Sequence, residues 1–304
     1  MKKAIITGAT GLVGAAVAKH FSSLGVDVLC LGRQALNQED VSRHFGVNAS
    51  YLKLAMKDIE SLVEQVDLIN WSPGSECVFF NFAWQGHKKL TDGSFEKQLN
   101  NAIHSAESVR FAKKLGCIKF VNVGTLEETM IEKFMEGGGN SLYHSKQIDY
   151  ALAKLASRDM CKMIAYLEKI DYVHTRLSVP LASNLSRGTY IAETLKKIAE
   201  GKPYDEPSNK QLFDIVFIED VAQAYYLIGL KGKNKADYFI GTSKPATLEQ
   251  YFKKLSYLVN DSSVEELDID VAIDDDAELF DTEPLCQDTG FVVLTKFEDM
   301  IKHL

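Results

Sequence analysis

The chain switches between two hydrophobic periods. Ala4-Ile5-Ile6 is a continuous apolar run of the length of a buried strand. From Ala15 to Leu24 the apolar residues recur at helical spacing, with Ala15, Ala18 and Phe21 or Leu24 on one face. Between them lies Thr7-Gly8-Ala9-Thr10-Gly11-Leu12-Val13-Gly14, a turn too rich in glycine to belong to either. Gly25 to Leu31 reads as a second strand, ending at Gly32-Arg33, Gln34 to Arg43 as a polar stretch, and Ser50 to Leu54 as a weaker third strand. Ile59 to Val66 has the spacing of a short helix. Cys77 to Ala83 is an unbroken apolar run of the kind found in a central parallel strand. Phe95 to Leu115 is a long amphipathic helix stopped by Gly116, and Ile118 to Val123 is the next strand.

This order predicts an α/β fold: a Rossmann-type, doubly wound parallel sheet with helices on both faces. Further on, Gly124 to Asn140 reads as loose chain, with three consecutive glycines at Gly137 to Gly139. Ile148 to Ile170 is a long helix and Tyr172 to Leu177 a strand. After Ser183 the alternation breaks down. Tyr190 to Glu200 and Leu248 to Val259 read as helices, Leu212 to Ile218 and Tyr238 to Ile240 as strands, and Asp220 as the N-cap of a helix running to Leu230. The expected division is a dinucleotide-binding domain of residues 1–177 and 212–241, with a smaller α/β substrate lobe of residues 178–211 and 242–304. The acidic run from Glu265 to Glu283 has interleaved apolar residues and reads as a solvated face.

Composition narrows the function classes. The chain has 304 residues, 46% hydrophobic and 25% charged, as in ordinary globular proteins. A net charge of −8 argues against nucleic acid or an anionic membrane as the main partner. No apolar run reaches the roughly 20 residues of a spanning helix. Met1-Lys2-Lys3 and Ala16-Val17-Ala18 imitate a secretory leader, but glycines and threonines interrupt the apolar run between them. The five cysteines are odd in number and form no C-x-x-C pair, and the histidines show no metal spacing. The expectation is a reduced, cytoplasmic protein without a metal.

The chemistry is expected at the carboxyl ends of the strands. Strand, glycine turn and helix together form a dinucleotide site: the glycines admit a phosphate to the backbone, and the helix N-terminus offers unpaired N–H groups. The spacing is G-x-x-G-x-x-G, at Gly8, Gly11 and Gly14. Thr125 follows the strand Ile118 to Val123, and Tyr150 and Lys154 stand at i and i+4 of the next helix, on one face. A nearby ammonium would lower the phenol from its usual value of about 10 and make it a proton donor or acceptor. Thr125 would hydrogen-bond the same substrate oxygen. Tyr143 and Lys146 form a competing pair one residue short, and the spacing favours Tyr150 and Lys154.

On these residues the chain resembles an extended short-chain dehydrogenase/reductase of the NAD(P)-dependent epimerase/dehydratase family. Thr7 to Gly14 matches the family's T-G-x-x-G-x-x-G, and Asn81-Phe82-Ala83-Trp84 its segment after the fourth strand. Gln98 and Asn101 match its Q-x-x-N, and Arg176-Leu177-Ser178 its R-x-S. Asp214 to Ala222 and Gln287 to Phe291 match its later segments. Gly124-Thr125-Leu126-Glu127-Glu128 resembles the G-(S/T)-x-x-E of the nucleotide-deoxysugar ketoreductase-like branch.

The resemblance implies a cradle for the cofactor pyrophosphate at Gly8, Thr10, Gly11, Leu12, Val13 and Gly14, with Ala83 beside the cofactor. It implies Tyr150 as acid/base, Lys154 as ribose holder and Tyr150 tuner, and Thr125 as binder of the reacting oxygen. Arg33, where NAD-preferring members carry an acid, implies NADP in preference to NAD. Leu126 stands where dehydratases need an aspartic acid, which argues against dehydration. The expected activity is reduction of the keto group of a nucleotide-linked deoxysugar. Two alternatives stay open: a nucleotide-sugar 4-epimerase with retained NAD, and a dinucleotide-binding sensor or scaffold without turnover. The resemblance also implies a possible homodimer through a four-helix bundle.

Overall fold

The structure is a computed structural model describing residues 1–74, 76–86, 95–137, 148–182, 184–185, 189–207, 211–260 and 277–299. Seven strands form one parallel sheet: β1 (Lys3–Thr7), β2 (Asp27–Gly32), β3 (Ala49–Lys53), β4 (Cys77–Asn81), β5 (Lys119–Val123), β6 (Asp171–Leu177) and, late in the chain, β10 (Asp237–Ile240). Their order across the sheet is β10-β6-β5-β4-β1-β2-β3, so the crossover direction reverses beside β1. That reversal opens a crevice at the carboxyl edge.

Strand residues divide by parity between two cores. Ala4, Ile6, Val78, Phe80 and Val121 face α1 (Leu12–Ser23) and α8 (Ile218–Lys231), where Val17, Phe21 and Tyr225 complete one cluster. Ile5, Cys77, Phe79 and Phe120 face α4 (Phe95–Lys114) and α6 (Ile148–Glu168), where Ala106, Val109, Cys161 and Ala165 complete the other. Phe79 and Phe120 stack with centroids 5.1 Å apart. Both are fully buried, worth roughly 1.5–3 kcal/mol each. Burial on both faces explains the continuous apolar runs.

The remaining elements are α2 (Gln38–Phe45), α3 (Leu62–Leu68), α5 (Leu126–Met135), β7 (Val179–Leu181), α7 (Tyr190–Ala199), β8 (Leu212–Phe213), β9 (Ile215–Phe217), β11 (Ala246–Thr247), α9 (Leu248–Asn260) and α10 (Glu283–Thr289). Leu195, Ile198, Phe217, Tyr251 and Phe252 form a third buried cluster against α7 and α9.

Four expectations are corrected. Leu126–Met135 is a helix, not loose chain: Thr125 caps it, and the Glu128 carboxylate returns to the Thr125 amide. Gln38–Phe45, within and beyond a stretch read as merely polar, is a helix capped by Asn37, whose side chain accepts from the Asp40 amide at 2.8 Å. The strand expected from Leu212 to Ile218 breaks at Asp214, which turns to bind the loop at Thr242 and Ser243. Asp220 is not an N-cap but lies in the first turn of α8, which starts after Phe217, and its carboxylate accepts from the Leu294 and Thr295 amides. Most of the acidic run lies outside the described residues.

Candidate active site

The glycine turn leaves β1 at Gly8, whose φ is +65°. A Cβ there would lie 2.8 Å from the Ala83 nitrogen, so only glycine lets the turn pass this close to the end of β4. Gly14 packs against the Gly8 carbonyl in the same way. Gly11 precedes α1 as its N-cap; no side chain caps it, and the first turn holds no acidic residue. The helix therefore presents bare N–H groups and its positive dipole end, with nothing to repel an anion. This fits the pyrophosphate of a dinucleotide. Thr10 is exposed, Leu12 and Val13 half-buried, and Arg33 exposed just beyond Gly32 at the end of β2. The turn, Arg33 and Ala83 thus line one edge of the sheet.

A buried polar ladder crosses beneath that edge. Thr7 Oγ1 donates to Asn81 Oδ1 at 2.7 Å and accepts from the Ala83 amide at 3.2 Å. Asn81 Nδ2 donates to Asn122 Oδ1 at 3.0 Å, and Asn122 Nδ2 reaches Ser157 Oγ on α6 at 3.5 Å. The ladder joins β1, β4 and β5 to the helix bearing Tyr150 and Lys154. Its members escape a reading for chemistry, although Asn81 and Asn122 each interrupt an apolar strand near its carboxyl end.

Thr125, Tyr150 and Lys154 converge. The Thr125 side chain hydrogen-bonds the Tyr150 phenol. Lys154 is 6% exposed. Its Nζ donates to the Val123 carbonyl at 2.7 Å and lies 4.0 Å from the Trp84 ring centroid. Trp84 meets Tyr150 edge to face, with centroids 5.9 Å apart, and its indole N–H donates to Gln98 Oε1 at 2.7 Å. Trp84 is a wall of the site that the sequence placed only in a motif. The competing Tyr143 and Lys146 lie outside the described residues.

Electrostatics differ from expectation at one point. The phenol of Tyr150 is pushed up rather than lowered. Burial raises it, Glu128 raises it further, and the Thr125 hydrogen bond acts the other way. Burial also pushes the Lys154 ammonium down to about 8, against the pull of Glu128. The lysine ammonium directs one N–H to a backbone carbonyl, and burial of the phenol sets the direction of its shift. Glu128 is itself fully buried, and its Oε2 lies 2.8 Å from Nε2 of His174 on β6.

Among the described residues, no group of three or more His, Cys, Asp or Glu side chains is placed to hold a metal ion. No helix among them is long and apolar enough to cross a membrane.

In overall shape the chain is similar to UDP-glucose 4-epimerase from Thermotoga maritima, at 18% identity and a TM-score of 0.73, covering 99% of this chain and 96% of that one. It is similar to UDP-glucuronic acid 4-epimerase from Bacillus cereus, at 13% identity and a TM-score of 0.72, covering 99% and 97%. It is also similar to the Bordetella bronchiseptica enzyme WbmF bound to NADH, at 16% identity and a TM-score of 0.71, covering 99% and 90%. No curated protein sequence matches the chain. The model of the NAD dependent epimerase/dehydratase family matches residues 4–241. With the glycine turn, the sheet order and that match in hand, the chain belongs to the NAD dependent epimerase/dehydratase family.

Proposed function

We propose that the protein reduces the keto group of a nucleotide-linked deoxysugar. The convergence of Thr125, Tyr150 and Lys154 beside the glycine turn carries this reading. A nicotinamide dinucleotide held at the glycine turn would supply the hydride for the carbonyl carbon. Tyr150 gives its phenolic proton to the carbonyl oxygen, which becomes the hydroxyl of the product. Thr125 holds that oxygen against the phenol, so positioning and a preformed hydrogen bond lower the barrier. Lys154 would hold the ribose hydroxyls of the cofactor and keeps a positive charge near the phenol. Trp84 walls off water from the Lys154 side.

Arg33 supports NADP over NAD, because a guanidinium at the end of β2 suits a 2′-phosphate and no acid stands there to accept the ribose hydroxyls. In this reading the sugar nucleotide lies against the lobe of residues 178–211 and 242–304. Its support is the cluster of Leu181, Leu195, Ile198, Phe252 and Leu255, a core apart from those flanking the sheet.

The likeness to proteins described as 4-epimerases favours a second reading. An epimerase oxidises and re-reduces one carbon with the same residues and keeps its cofactor. Extensive dialysis followed by release of bound nucleotide decides between them. The reductase reading expects protein free of nucleotide and oxidation of added NADPH with a nucleotide-linked 4-keto-deoxysugar. Retained NAD and interconversion of UDP-sugars without net NADPH consumption would replace it with the epimerase.

A further inference from the structure

Behind Thr125 lies a group of buried side chains that the proposed reaction does not use. Glu128 occupies the third position of α5 and is fully buried, a place where such a carboxyl commonly faces water. One of its oxygens accepts from the Thr125 amide at 2.8 Å. The other faces His174 Nε2 at 2.8 Å. His174 Nδ1 lies 3.3 Å from the Tyr172 hydroxyl, which donates to the Arg158 carbonyl at 3.2 Å. Gly124 makes room for the arrangement: a Cβ there would overlap both the Glu128 carboxyl and the His174 ring.

We propose that Glu128, braced by His174, is a positioning residue that fixes Thr125 against Tyr150 and supplies the negative field in which Tyr150 and Lys154 work. This rests on the assignment of those three residues under the proposed function.

The geometry serves both tasks. A capping carboxyl on an exposed helix would swing with solvent, whereas this one is held at both oxygens. Its negative charge has no water to screen it, so the neighbouring phenol and ammonium both feel it. The other groups nearby are Glu127 on α5, Tyr172 on β6 and Cys161 on α6, with Arg158 meeting Tyr172 through its backbone carbonyl. Arg158 is engaged by Glu132 at 2.7 Å and by Asp159 at 2.9 Å, and the buried Cys161 thiol is pushed up to about 12. Glu128 therefore remains the charge that both Tyr150 and Lys154 share.

Two variants of the full-length protein separate the tasks. Glu128→Gln keeps an acceptor for the Thr125 amide and removes the charge. Glu128→Asp keeps the charge and falls one methylene short of that amide. The readouts are the Lys154 titration, followed by NMR of carbon-labelled lysine and assigned through Lys154→Arg, and hydrogen exchange of the Thr125 amide. The wild-type ammonium titrates at about 8.

Glu128→Gln is expected to move that midpoint down by roughly one pH unit, with the Thr125 amide still protected. Glu128→Asp is expected to leave the midpoint in place and speed Thr125 exchange at least roughly tenfold, the loss of one hydrogen bond. A midpoint unmoved in Glu128→Gln, with only a lower melting temperature, would make Glu128 a structural cap and overturn the proposal. If Glu128→Gln does not fold, a slow Thr125 amide in Glu128→Asp overturns it instead. Both readouts need neither cofactor nor substrate. Absence of turnover in the wild-type protein would therefore sink the proposed reaction and leave this result standing.

Discussion

At the scale of single residues, the site separates binding from proton transfer. In the proposed reaction Tyr150 carries the proton and Gly8, Gly11 and Gly14 the dinucleotide, at places joined through β1, β4, β5 and α6. Tyr150→Phe removes one oxygen and leaves the glycine turn untouched. Its turnover is expected to fall by at least a hundredfold, the usual worth of general acid catalysis, with dinucleotide affinity by calorimetry unchanged. Undiminished turnover would take the acid role away from Tyr150. Arg33 makes the opposite kind of prediction. It is exposed and lies at the end of β2, remote from the proton path. Arg33→Ala should weaken NADPH binding by roughly tenfold or more, the worth of a charge-assisted contact, and leave NADH binding alone. Equal affinities for the two cofactors in wild type and variant would remove the case for NADP.

Elements tell a different story, because their limits depend on residues far away in sequence. The parallel strands are legible as apolar runs, since burial on both faces leaves no polar alternation to confuse them. The α5 helix is not: flanking glycines mark the stretch as loose, and its Thr125-x-x-Glu128 start belongs to a motif already assigned to chemistry. Tyr150 and Lys154 are legible from i, i+4 spacing, whereas the Glu128–His174 contact depends on how β6 lies beside β5. No local pattern encodes that register. Asp214 shows the same limit. Inside an apolar stretch it reads as a strand residue, yet its carboxylate accepts from the Thr242 and Ser243 amides at 2.8 and 3.0 Å.

Burial raises the Asp214 carboxyl to about 6 despite those bonds. Between its unfolded value of 3.8 and about 6, the native protein holds a proton that the unfolded chain has released. Stability from this group is therefore full below pH 3.8 and lost as pH rises through about 6, to the extent of about 3 kcal/mol. Asp214→Asn can keep the geometry, its amide oxygen accepting from both backbone amides and its NH2 donating to Thr242 Oγ1. The stability difference between variant and wild type, from urea unfolding, should move in the variant's favour by that amount from pH 3.5 to pH 7. A difference constant across that range would refute the assignment.

For the whole molecule the open question is how many copies work together. We propose a dimer through α4 and α6, which pack side by side on one face of the sheet. The outward surface of α6 carries Met163, Tyr166 and Leu167 at 59%, 68% and 66% exposure, with Ile148 and Met160 also exposed, and α4 adds Ile103. So much exposed apolar surface on neighbouring helices is unusual for a monomer and suits a matching surface on a second copy. Met163→Glu with Leu167→Glu is expected to halve the mass in solution, measured by light scattering, because four carboxylates would meet across the axis. A wild-type protein that runs as a monomer at every concentration would refute this.

The ladder from Thr7 through Asn81 and Asn122 to Ser157 works as a fixed gauge. It spans two strand spacings of about 4.8 Å each, so the turn proposed to grip one end of a dinucleotide and the helix proposed to act at its other end stand a set distance apart. Lengthening or tilting either part would strand buried amides, at about 1–3 kcal/mol for each orphaned group. Such a frame accepts a cofactor of one length and resists drift there. Under the proposed function, adaptation to new sugars is thereby channelled away from this frame, into residues 178–211 and 242–304.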